Sequence, residues 1–288
     1  MAHYKYQIFV PGGNKTALVL GMDNLESNLT LRRAIQDNIM AAHRNDSDGE
    51  VEQVGFVSTD KSAPRLLMTG GEFCGNATRT AVAYYLDGSK ADMEMVVLVD
   101  GEPKKLRAGV DALGHVWAEM PIYDDIVASV SCINNRFYWV KMQGISHLIV
   151  PQAQYNIYCN EIFENHFDSP KTMASRLLHK IADENSLDIG NACGIIFLEN
   201  IADMLKMHPY VFIKSAGTTY YETGCGSGAM CVGLMKYMFF GGSIKLPLLQ
   251  PSGKFITAEV ERCGNGSICG KISGEVSHGD VFEVEVQE

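Results

Sequence analysis

A chain of 288 residues has room for about two domains of ordinary size. Its formal charge of −10, with no Lys/Arg cluster to offset it, argues against nucleic acid as a partner. No apolar run approaches the roughly 20 residues of a membrane helix, and Met1-Ala2-His3-Tyr4-Lys5-Tyr6 lacks the apolar core of a signal peptide, so no membrane partner and a cytoplasmic location are expected. The eight cysteines are not spaced like those of a small secreted scaffold, and neither Cys-x-x-Cys nor His-x-x-x-His occurs. No disulfide framework and no metal are expected. Cys132, Cys159, Cys193 and Cys231 read as small buried hydrophobes.

Runs rich in Val, Ile, Tyr and Phe predict strands over 4–10, 16–20, 51–58, 65–69, 94–99 and 116–119 in the first half. In the second half they predict strands over 137–142, 146–150, 193–199, 210–214, 255–260, 267–273 and 281–286. Leu31, Ile35, Ile39 and Ala42 mark one face of an amphipathic helix. Asp168-Ser169-Pro170 reads as a cap with a first-turn proline, before the apolar stripe Met173, Leu177, Ile181. Two further segments, 77–84 and 229–238, are apolar nearly all round and predict buried helices. Strands, helix, strands, buried helix, strands thus occurs twice. A Pro-containing polar break at Met120-Pro121-Ile122-Tyr123-Asp124-Asp125 divides the two rounds.

Each buried helix is preceded by a cysteine and a glycine. The first turn is Gly71-Glu72-Phe73-Cys74-Gly75-Asn76-Ala77-Thr78-Arg79, and the second is Glu222-Thr223-Gly224-Cys225-Gly226-Ser227-Gly228-Ala229-Met230. A thiol at a helix start lies beside unpaired backbone N–H groups and the positive end of the helix dipole. That setting lowers a thiol pKa and also binds a carboxylate. Two such turns suit removal of a proton from one face of a carbon and delivery to the other. Cys is a poor cap beside Ser, Thr, Asp or Asn, so its use at two equivalent places favours chemistry over packing. A third Cys-Gly-Asn, Cys263-Gly264-Asn265-Gly266, has strand-like flanks and an Asn-Gly hairpin signal, and is expected to be non-catalytic.

The paired turns resemble the diaminopimelate epimerase family of cofactor-independent racemases, whose signatures are Cys-Gly-Asn and Cys-Gly-(Ser/Thr)-Gly. The resemblance extends to Phe9-Val10-Pro11-Gly12-Gly13-Asn14, Glu52-Gln53-Val54-Gly55-Phe56, Met120-Pro121 and Ile272-Ser273-Gly274-Glu275-Val276. It implies an α+β fold of two pseudo-symmetric lobes, each a sheet or barrel around a central helix, with the active site in the cleft between them. The lobes are expected over 1–121 and 122–279, with the last strand, about 280–288, returning to the first. It also implies Cys74 and Cys225 as the catalytic bases and no cofactor. Asn14, Gln53, Gly75, Asn76, Glu222, Gly226 and Ser227 are expected to bind substrate, with Glu52, Glu72 and His147 as further candidates. A homodimer is expected.

The chain departs from the diaminopimelate enzymes where they hold the distal head group. Met68-Thr69-Gly70-Gly71 is shorter and has no Asn, Ile145 stands where the family has Asn, and Tyr220-Tyr221-Glu222-Thr223-Gly224 is contracted and lacks the family's Arg. A distal carboxylate without those partners would bind poorly. The contracted form is similar to the histidine racemases of this superfamily, and Glu and Gln side chains suit imidazole N–H donors. Other readings are a diaminopimelate epimerase, a phenazine-type isomerase, a proline-type racemase, though the Asp before its Cys-Gly-Thr is absent, and a non-catalytic amino-acid-binding protein.

Overall fold

The computed structural model describes residues 1–22, 25–99, 101–155, 157, 169–214, 217–264 and 266–287. These divide into two units, Met1–Glu119 with Ser273–Glu288, and Met120–Ile272. The return to the first unit thus begins at Ser273, ahead of the 280 expected from sequence.

The first unit contains β1 (Ala2–Pro11), β2 (Thr16–Leu20), α1 (Leu29–Ala42), β3 (Gln53–Val57), β4 (Arg65–Met68), α2 (Gly75–Leu86), β5 (Asp92–Val99), β6 (Glu102–Val110), β7 (Val116–Glu119) and β17 (Val276–Val286). Its ladder runs β17-β1-β2-β3-β4-β5-β6-β7. β2 and β3 are parallel because α1 crosses between them, and β4 and β5 are parallel because α2 does. Alternate residues of β1 to β5 serve two cores. Phe9, Leu18, Val57 and Leu66 pack with Ala77, Ala81 and Val82 of α2. Ile8, Ala17, Val19 and Phe56 pack with Ile35 and Ile39 of α1 on the other face. α2 touches β1, β2, β3, β4, β6, β7 and β17, so the sheet curls around it.

The second unit contains α3 (Ile126–Ser129), β8 (Val130–Ile133), β9 (Phe137–Met142), β10 (Ile145–Val150), α4 (Pro170–Glu184), β11 (Ala192–Ile201), β12 (Met204–Ile213), β13 (Thr218–Tyr221), α5 (Gly226–Phe240), β14 (Ile244–Leu249), β15 (Phe255–Arg262) and most of β16 (Ile268–Gly274). The same connectivity recurs. β10 and β11 are parallel across α4, and β12 and β14 are parallel across α5, with antiparallel pairs between and after them. α4 lays Ala174, Leu177, Leu178 and Ile181 on one face of the sheet. α5 packs against β8, β9, β10, β14 and β15.

Several expectations change. The expected cap at Asp168 lies outside the described residues; Ser169 caps α4, its hydroxyl 3.3 Å from the Thr172 N–H, with Pro170 in the first turn. Cys159 also lies outside them. Cys193 and Cys231 are buried, whereas Cys132 is exposed on β8, whose ladder partner is β9. Against the expectation of no disulfide, Cys263 is bonded to Cys269. The turn at 263–267 closes with the Cys263 N–H on the Ser267 carbonyl, and this brings the two Cα atoms to 5.9 Å, within disulfide range. Among the described residues no helix is long and apolar enough to cross a membrane.

Candidate active site

In the first unit the key thiol caps α2. Cys74 has an extended backbone, φ −131° and ψ 112°, and its Sγ accepts the Ala77 N–H at 3.4 Å. Side chains of Asn76, Thr78, Arg79 and Thr80 follow, all buried. The two threonines satisfy themselves on the helix backbone, Thr78 on the Cys74 carbonyl at 2.8 Å and Thr80 on the Asn76 carbonyl at 2.9 Å. Arg79 donates from Nη2 to the Asn76 side-chain oxygen at 2.9 Å, while its Nε and Nη1 have no hydrogen-bond partner. Burial brings the guanidinium down to about 10, opposed by attraction to the Cys74 sulfur.

β3 and the β1–β2 turn supply the rest. The Cys74 Sγ–H donates to the Gln53 carbonyl oxygen at 2.8 Å. Gln53 donates to the Asn14 side-chain oxygen at 2.5 Å and the Thr16 hydroxyl at 2.7 Å, and Asn14 donates to the Glu52 carboxylate at 2.6 Å. Asn14, Glu52, Gln53, Cys74, Gly75 and Asn76 are therefore brought together. Glu72 is exposed on the turn before Cys74, within electrostatic reach of Arg32. Arg32 is buried and ties this region together through the carbonyls of Leu25, Glu26 and Thr69.

In the second unit Cys225 caps α5 in the same way, with φ −116° and ψ 104°, its Sγ accepting the Gly228 N–H at 3.2 Å. The sulfur is 1% exposed as part of its residue, and burial pushes the thiol well up. The Glu222 carboxylate adds to this by its charge and by accepting a hydrogen bond, while Ser227 and the Gly228 N–H act against it. The Ser227 hydroxyl lies 3.6 Å from the sulfur and 2.9 Å from Nε2 of His147. His147 is wholly buried, its Nδ1 has no partner, and burial lowers it to about 3, so the imidazole is neutral. It fits because its β11 neighbour is Gly194, where a Cβ would fall 2.3 Å from Nδ1. His147 is linked to the Cys225 sulfur through the Ser227 hydroxyl. Glu222, Cys225, Gly226, Ser227 and His147 thus form the second constellation.

Sequence reading missed Arg79, Arg32, Thr16 and Gln250. Gln250, buried between β14 and β15, accepts the Cys225 backbone N–H at 3.0 Å and fixes the entry to α5. Arg79 carried a signal, the one charged side chain of its helix; the others stand far from their partners in sequence. Among the described residues no group of three or more His, Cys, Asp or Glu is arranged to hold a metal ion.

The family model described as histidine racemase CntK N-terminal domain matches residues 4–282. The chain belongs to the histidine racemase family. Similar curated proteins are histidine racemases of Fusobacterium nucleatum subsp. nucleatum, 27% identical over 84% of each chain, and of Staphylococcus aureus, 22% identical over 95% of this chain and 94% of that one. Among solved structures, the fold is similar to a phenazine biosynthesis protein of the PhzF family from Bacillus anthracis, with TM-score 0.65 at 15% identity over 99% of this chain and 100% of that one. It is also similar to a hydroxyproline epimerase from Agrobacterium vitis, with TM-score 0.61 at 10% identity over 98% and 92%. The sheet-rich α+β fold is that of these two proteins. The protein is an isomerase, an amino-acid racemase or epimerase by family.

Proposed function

We propose that the protein interconverts L- and D-histidine without a cofactor, with Cys74 and Cys225 as its two bases. The observation that carries this is the repeated cap: in each unit a thiol accepts the N–H three residues on, at the start of a buried helix. One thiolate takes the α-proton, the electron pair stays on Cα beside the carboxylate, and the other thiol protonates the opposite face. One S–H forms as the other breaks, so thiol and thiolate exchange places and the product is inverted. The N–H groups of Gly75, Asn76, Gly226 and Ser227 hold the α-carboxylate and the charge that develops beside it. Asn14, Gln53 and Glu222 complete the substrate contacts, with Glu72 at the rim. The absence of an Arg in the turn before Cys225 supports a substrate with one carboxylate, and the Glu and Gln side chains support an imidazole. The proposal places the enzyme in the cytoplasm as a homodimer.

The test is incubation with reductant of L-histidine and, separately, of diaminopimelate, followed by chiral chromatography. D-histidine should accumulate until the enantiomers are equal. Turnover of diaminopimelate with none of histidine would overturn the substrate assignment.

A further inference from the structure

The hydrogen bonds leading to Cys74 have a fixed direction, and the direction has a chemical consequence. An ionised carboxylate only accepts. Glu52 therefore obliges Asn14 to present its NH2 group, at 2.6 Å. The Asn14 oxygen then faces Gln53, which must present its own NH2 at 2.5 Å, and the same nitrogen donates to Thr16 at 2.7 Å. Thr16 in turn donates to the Asn14 oxygen at 3.3 Å. This leaves the Gln53 carbonyl pointing at Cys74, 2.8 Å from Sγ. Turning either amide over would set two oxygens against each other at hydrogen-bond distance. A sulfur facing a carbonyl at that distance is accommodated as S–H and opposed as a thiolate.

We propose that Glu52, acting through Asn14 and Gln53, is a positioning residue that keeps the proton on Cys74. The inference takes its catalytic meaning from the two-thiol reading above, but the proton assignment stands on the geometry of the first unit alone. Neighbouring charges do not replace Glu52. Lys15, next to Asn14, is taken up by Asp46 and Asp48 at 3.1 and 2.5 Å. Arg79, on α2 itself, attracts a thiolate at Cys74 and works against the chain, but its nearest hydrogen bond goes to Asn76. Glu72, on the preceding turn, is exposed and carries the same sign as Glu52. Glu52 thus has a role distinct from gripping substrate, and it reaches the reacting sulfur through two neutral amides.

The experiment is the pH dependence of Cys74 alkylation by iodoacetamide in the full-length protein, read on the Cys74 peptide by mass spectrometry. In Glu52→Gln the first link can be donor or acceptor, so the chain can turn over and present an N–H to the sulfur. The midpoint should fall by about one unit, giving about tenfold faster alkylation at pH values below both midpoints. Gln53→Met, which removes the facing carbonyl, should shift the midpoint the same way by about threefold in rate, and decides the matter if Glu52→Gln does not fold. A midpoint that stays put or rises overturns the proposal, as does a higher plateau rate with the midpoint unchanged, which would mean only a looser site. Alkylation needs no turnover. Failure of the racemase reading would show as no histidine inversion by the wild-type protein, independently of where this midpoint lies.

Discussion

The two capped helices share a first turn and almost nothing else. α2 buries Asn76, Thr78, Arg79 and Thr80 within its first two turns, and these groups bond largely within the helix. α5 buries Ala229, Met230, Cys231, Val232, Leu234 and Met235, a body without a charged side chain until Lys236. Three residues after the thiol, α2 has Ala77 where α5 has Gly228. The reason is local: a Cβ at Gly228 would come within 2.6 Å of Ile196 Cδ1 and 2.9 Å of the Cys225 sulfur. On the proposed two-base reading the repeated cap serves the chemistry, while each helix body answers to its own core.

Losing either thiol should have the largest effect. Cys74→Ser or Cys225→Ser should lower racemisation by about 10²–10⁴-fold, since a hydroxyl is a poor base at neutral pH. Near-normal turnover in one variant would make the two caps functionally unequal and break the comparison. The exchange at the third position comes next. Gly228→Ala should cost about 1–3 kcal/mol in denaturant unfolding, because the methyl meets packed atoms, and should slow racemisation by displacing the sulfur. The reciprocal Ala77→Gly should cost about 1–2 kcal/mol, the helix penalty plus the loss of a buried methyl, and should slow racemisation less than Gly228→Ala. Equal slowing by both would mean the two first turns sit in equivalent packing.

A smaller difference lies in what stands behind each thiol. His147 is held at about 3, far below the usual 6.5, so its neutral form contributes stability above pH 6.5 that is lost as pH falls toward 3. Unfolding free energy should drop by about 2 kcal/mol between pH 6.5 and 5, and His147→Gln should flatten that part of the profile. An unchanged slope in the variant would mean the ring takes up a proton in the folded state. Smallest of all is the third Cys-Gly-Asn. Cys263→Ser should leave racemisation unchanged and cost at most about 2 kcal/mol of stability under oxidising conditions, with no loss in reductant.

Much of this was legible in the sequence because it is local. The two caps, the buried helices behind them and the strands with clear apolar runs are written in adjacent residues. β6 was not, because Glu102-Pro103-Lys104-Lys105 is exposed and polar, and the buried positions come only from Leu106 onward. β14 was hidden by Pro247 within an otherwise alternating run. The buried Arg79 was passed over because a charged side chain in a helix usually marks a solvent face. The Glu52–Asn14–Gln53–Cys74 chain joins residues from three places in the sequence, and the direction of its hydrogen bonds exists only once they meet. The Cys263–Cys269 bond was missed because the Asn-Gly hairpin signal shows the turn but not that Cys269 faces Cys263.

The central claim is that each cap serves one face of the same carbon. The direct measurement is racemisation of L-histidine in deuterated water, with both enantiomers separated early in the reaction and their Cα hydrogen read by mass spectrometry. With one thiol removing the proton and a different, solvent-exchanged thiol returning one, the first D-histidine formed should carry deuterium while the remaining L-histidine stays unlabelled. Deuterium appearing equally in both enantiomers from the start, or D-histidine that keeps the original proton, would contradict the account and point to a single base.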